Sequence, residues 1–127
     1  MNRLFLDANV VFTAAHNPAG KAALLIELGD AGRWRLFTSS YALVEARHNL
    51  RLKYPECLSR LDDLARRMKV LDPKSAARCP LALPEKDQPI FLAAAACRAT
   101  HLLTGDIKDF GPFMNRPRQT AGIVIQT

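Results

Sequence analysis

The sequence predicts a three-layer α/β/α fold, with helices on both faces of a central, mostly parallel sheet of four to five strands. Three observations predict it. Short apolar runs (RLFLD, RWRLFT, HLLT, GIVIQ) alternate with longer stretches of helical periodicity, and such alternation calls for parallel strands joined by helical crossovers. Acids recur where a strand ends or a helix begins, as at Asp7, Asp87 and Asp106. The 127 residues are 49% apolar and 24% charged, enough for one domain over 1–127 with a proper core.

Arg3–Leu6 reads as the first strand, with Asp7 at its carboxyl end, and residues 10–12 carry the apolar character into a helix or turn. Residues 18–30 read as a helix. Pro18 opens it, Ala22, Leu25, Ile26 and Leu28 give it a face at three-to-four spacing, and Gly29 and Gly32 bracket its end. Residues 33–38 form strand two. Ser39 and Ser40 are natural caps for a helix over 41–54, because their hydroxyls accept orphan N–H bonds. On that helix Val44 and Leu50 point inward, Arg47, His48, Arg51 and Lys53 stay mostly outside, and Glu45 falls in the first turns.

Pro55 separates a second helix, residues 55–68, with Leu58, Leu61, Leu64 and Ala65 on one stripe. Lys69–Leu71 is a third short strand, stopped by Asp72-Pro73. Residues 74–86 hold Pro80 and Pro84 with little periodicity and read as a surface connection. Asp87 stands before a helix over 90–99, with Pro89 in its first turn, where a missing N–H costs nothing. Residues 101–104 form a buried strand ended by Gly105-Asp106. A Pro- and Arg-bearing loop, 111–120, leads to a last strand at 122–126.

Composition excludes several classes. No window of about 18 apolar residues exists to span a membrane, and MNRLFLDAN lacks the apolar run of a secretion signal. Cys57, Cys79 and Cys97 are odd in number and widely spaced, which fits reduced thiols in a cytoplasmic protein better than a disulfide frame or zinc site. The net charge of +6 points to a polyanionic partner, of which nucleic acid is the commonest.

Each acid alone has an ordinary explanation. Asp7, or Asn9 beside it, can cap a helix, Asp87 can cap the next, and Asp106 and Asp109 can close turns. Glu45 alone is a solvated helix residue. Together they are harder to dismiss. In a right-handed α/β sheet, strand ends and helix starts share one edge, and ligands collect in the crevice there. Clustered carboxylates repel and raise one another's pKa. A hard cation, Mg²⁺ or Mn²⁺, is the simplest remedy.

In order and spacing, LFLDAN, YALVEARHNL, EKDQPIFLAAA and LLTGDIKDFG resemble the four acidic blocks of the PIN-domain nucleases, including the VapC-like toxin ribonucleases, with GIVIQT as the usual last strand. The resemblance implies metal-binding, catalytic acids at Asp7, Glu45, Asp87 and Asp106, with Asp109 assisting at the outer position. Asn9 and Thr104 match the family's supporting polar positions. It implies a metal-dependent ribonuclease holding one or two Mg²⁺ or Mn²⁺ ions, often the toxin of a toxin–antitoxin pair, with an antitoxin partner and a homodimeric state. In-line attack would leave a 5′-phosphate and a 3′-hydroxyl.

Substrate grip falls to the basic surround: Lys108 beside the acids, Arg47 and Arg51 on the Glu45 helix, and Arg116 and Arg118 in the late loop. Single-stranded or looped RNA suits a recessed pocket. His16, His48 and His101 have no matching partners for nucleophilic or acid–base work. Two other classes stay open: a metal-dependent phosphatase, which wants a second Asp where Asn9 stands, and a catalytically weak nucleic-acid or protein binding module.

Overall fold

The computed structural model describes residues 1–72 and 79–127. Five strands form one all-parallel sheet in the order β3-β2-β1-β4-β5. The strands are β1 (Arg3–Leu6), β2 (Arg35–Ser39), β3 (Lys69–Leu71), β4 (His101–Leu103) and β5 (Val124–Gln126). The helices are α1 (Ala8–His16), α2 (Lys21–Asp30), α3 (Ser40–Lys53), α4 (Leu58–Arg66), α5 (Gln88–Ala96) and α6 (Ile107–Phe110).

The chain walks outward from β1 to β3, then returns to the other side of β1 for β4 and β5. The order therefore reverses between β1 and β4, the place where an open α/β sheet forms its crevice. Phe5 and Leu6 on β1 and Leu102 on β4 are fully buried, as strands covered on both faces must be. The Asp7 N–H continues the β1–β4 ladder by donating to Leu103 O at 3.0 Å.

Several elements differ from the sequence reading for identifiable reasons. Helix α2 starts at Lys21 rather than Pro18, because a turn closed by Gly20 N–H to Asn17 O, 3.1 Å, places Pro18 outside it. Val44 is 68% exposed. Ala42, Ala46 and Leu50 at i, i+4 and i+8 are the buried positions of α3, and Val44 lies off that stripe. Pro55–Cys57 form a 3₁₀ turn before α4. Helix α5 stops at Ala96, because Arg98 takes a left-handed φ of 55° and the Ala99 N–H reaches back to Ala94 O. The expected surface connection lies outside the described residues up to residue 78. Beyond it Leu81 and Leu83 are buried in the core rather than at the surface. No helix among the described residues is long and apolar enough to cross a membrane.

Candidate metal centre

Four chain segments bring acids to the carboxyl edge of the sheet. Asp7 ends β1 and caps α1, its Oδ1 accepting from the Ala8 N–H at 2.6 Å. Its Oδ2 accepts from the Thr104 hydroxyl at 2.8 Å, a bond that crosses from β1 to β4. The same Thr104 oxygen accepts from the Asp106 N–H at 3.0 Å. Asn9 joins the two loops again, its Oδ1 accepting from the Gly105 N–H at 2.7 Å. Thr104 and Asn9 thus fix the geometry of the first and last acids.

Asp106 caps α6, with Oδ1 accepting from the Asp109 N–H at 3.0 Å. That one-turn helix turns Asp109 back toward the edge. Asp87 arrives on the 3₁₀ turn Glu85–Asp87, and its side chain makes no capping bond to α5. The turn is held from α3, where the Tyr41 hydroxyl donates to Lys86 O at 2.6 Å. Asp87 is 7% exposed, and its Oδ2 is buried without a hydrogen-bond partner. An orphaned buried carboxylate oxygen is costly unless something pairs with it.

Carboxylate oxygens of Asp87, Asp106 and Asp109 lie within 4.8 Å of one another. Burial pushes the Asp87 carboxyl up to about 7, with a hydrogen bond and charge repulsion from Asp109 adding to the effect. The same shared hydrogen bond holds Asp109 below its ordinary value. Lys86 Nζ stands 3.6 Å from Asp109 Oδ2. Burial also raises Asp7, opposed by its bonds from Thr104 and Ala8 and reinforced by the charges of Glu45 and Asp106. Protonation and a lysine are the local answers to crowded negative charge; a divalent cation is a stronger one.

Asp7, Glu45, Asp87 and Asp106 all line one open cleft of about 440 Å³. Glu45 is exposed on α3. Asp7 and Glu45 lie outside the trio of near carboxylates, whereas Asp109 lies within it. Of the expected phosphate-gripping residues, none lines the cleft. Arg47 pairs with Asp62 on α4, and Arg51, Lys108, Arg116 and Arg118 are exposed.

Asn49, Lys53, Phe12 and Lys86 line the cleft and were not singled out in the sequence. A signal existed for two of them. Glu45, Asn49 and Lys53 stand at i, i+4 and i+8 on α3, one stripe of one helix.

A family model of the PIN domain matches residues 3–108. The chain belongs to the PIN domain family. Solved structures agree on the fold of this PIN domain. A chain of VapBC2 from Rickettsia felis, bound to a DNA fragment from the promoter, superposes with a TM-score of 0.69 at 20% identity, covering 98% of both chains. DNA-bound VapBC from Salmonella typhimurium gives 0.65 at 19% identity, covering 98% of this chain and 97% of its own. VapBC-1 from nontypeable Haemophilus influenzae gives 0.59 at 16%, over 98% and 96%. Such identities speak for a shared fold. No significant match to a curated protein sequence was found.

Proposed function

We propose that this PIN domain is a Mg²⁺- or Mn²⁺-dependent ribonuclease that hydrolyses RNA phosphodiester bonds, and that it is the toxin of a type II toxin–antitoxin pair in the cytoplasm. The observation that carries the reading is the buried, unpartnered Asp87 Oδ2 beside the carboxylates of Asp106 and Asp109. Carboxylate oxygens from separate segments are the donor set of a hard cation.

Asp87, Asp106 and Asp109 would hold one or two ions, with Asp7 completing the site from β1. A bound ion supplies Lewis acidity to a phosphoryl oxygen and lowers the pKa of water in its shell. The chain's own residues do the remaining work. Thr104 and Asn9 keep Asp7 and Asp106 in register. Glu45, exposed at the cleft wall, would take a proton from the attacking water or bind an ion through water. Lys53 and Lys86, which line the cleft, would offer cations to substrate phosphates. No side-chain nucleophile is required.

The structural neighbours are VapBC assemblies, which supports an antitoxin partner for this chain, and a homodimer is proposed with it. The test is cleavage of a labelled RNA with Mn²⁺ or Mg²⁺ against chelator, in wild type and Asp87→Asn. Metal-dependent cleavage abolished in the variant is expected. Hydrolysis of a phosphomonoester without RNA cleavage would replace the reading with a phosphatase, and RNA binding without cleavage with a binding module. Rescue of growth by the neighbouring reading frame tests the antitoxin.

A further inference from the structure

Acids collect at the carboxyl edge of the sheet, and a group of cations collects at the opposite edge. Arg3 opens β1, Arg35 opens β2 and Lys69 opens β3. Register sets Arg3 beside Arg35 and Phe37 beside Lys69. Strand side chains alternate with a period of two, so these four residues share one face. With Trp34 and Arg67 they line an open cleft of about 430 Å³.

Part of this cleft is framework. The Arg3 guanidinium lies 4.5 Å from the Phe37 ring centroid and donates to Cys97 O at 2.8 Å. Trp34 is half-buried, its Nε1–H donating to Leu25 O at 3.0 Å, and Arg67 pairs with Asp63. Arg35 and Lys69 are different. Both are exposed, and neither makes an ion pair among the described residues. Cations in the last turn of a helix answer the helix dipole, but Arg35 and Lys69 stand on strands rather than in such a turn. Their clustering calls for an external anion.

We infer that this cleft is a second contact for single-stranded RNA, with Arg35 and Lys69 on phosphates and Trp34 offering its ring to a base. The inference rests on RNA as the substrate class proposed above and adds a site distant from the acids. An acidic peptide would use the cations but not an aromatic ring set among them, whereas a nucleic-acid strand uses both.

Trp34 is the chain's single tryptophan, so its fluorescence reports on this cleft alone. Titrating poly(U) into the full-length protein in EDTA, where no cleavage occurs, is expected to quench it. The double variant Arg35→Gln/Lys69→Gln should lose several-fold in affinity at low salt, and its salt slope should fall by about 1.4, about 0.7 for each phosphate contact on a single strand. Thermal melting confirms that these exposed substitutions leave the fold intact, and cleavage of a tetranucleotide should be unchanged. Absence of quenching, or an affinity and salt slope equal to wild type, overturns the inference. So does a polyglutamate peptide that needs Arg35 and Lys69 while RNA does not. Quenching without any Mn²⁺-dependent cleavage would remove the ribonuclease reading and leave this contact standing.

Discussion

The Thr104 hydroxyl donates to Asp7 Oδ2 at 2.8 Å, joining residues 97 apart in the chain across the β1–β4 junction. Both groups are buried, so neither has water to fall back on. Thr104→Val leaves a buried carboxylate short of a partner and should destabilise the fold by about 1–3 kcal/mol. Thr104→Ser keeps the oxygen and should lose less. Urea melts of the three proteins check this; equal midpoints for wild type and Thr104→Val would contradict it.

Asp87 makes metal-free stability depend on pH. Its carboxyl is pushed up to about 7 from 3.8, chiefly by burial, so folding favours its protonated form. That contribution is whole below about pH 3.8 and is lost as pH rises through about 7. Asp7, raised mainly by burial, acts in the same sense. Asp109 is depressed, and its contribution is lost only in acid. In chelator, Tm should fall between about pH 4 and 7, and Asp87→Asn should flatten the fall. A wild-type Tm that rises over that range would be the contrary result.

Metal uptake should release a proton. A cation at Asp87 needs the ionised carboxylate, which is half-protonated at about pH 7. Calorimetric titration of Mn²⁺ in buffers of different ionisation enthalpy should show about one proton released below pH 6 and almost none above pH 8. Buffer-independent heats at the lower pH would argue against a site built on Asp87.

Lys86 competes with that cation. Its ammonium stands 3.6 Å from Asp109 Oδ2 while the side chain is 68% exposed, so the pair itself contributes little to stability. Lys86→Gln should bind Mn²⁺ more tightly, because one repelling charge is gone, and RNA more weakly. Unchanged Mn²⁺ affinity would show that Lys86 does not sense the site.

Gly29 on α2 packs directly against Leu36 of β2. A Cβ there would run into the Leu36 side chain, which is itself buried. Gly29→Ala should cost about 1–3 kcal/mol by overpacking, despite alanine's better helix propensity. Pairing it with Leu36→Ala, which makes room, should recover part of the loss; strict additivity of the two changes would rule out the clash.

The strands and the acids were legible because both follow local rules. Apolar runs mark β1, β2 and β4, and an acid after a parallel strand is delivered to one edge by topology alone. Placement of side chains on α3 was less legible. Val44 was expected inside, yet the buried stripe is Ala42, Ala46 and Leu50. Small alanines carry a weak hydrophobic signal although Ala42 and Ala46 are fully buried. Asn49 and Lys53, which share the Glu45 stripe, went unremarked as cleft residues for the same reason. The role of Asp109 depends on the single turn of α6, too short to announce itself by periodicity.

The pairing of β1 with β4 has a consequence for biosynthesis. Leu4 meets His101 and Leu6 meets Leu103, so the innermost ladder waits for a partner made 97 residues later, and long-range parallel pairing is slow even then. A ribosome-bound fragment that already displays Asp7, Glu45 and Asp87 still lacks the strand that delivers Asp106. The acidic centre therefore comes together only once β4 has been made and has paired with β1.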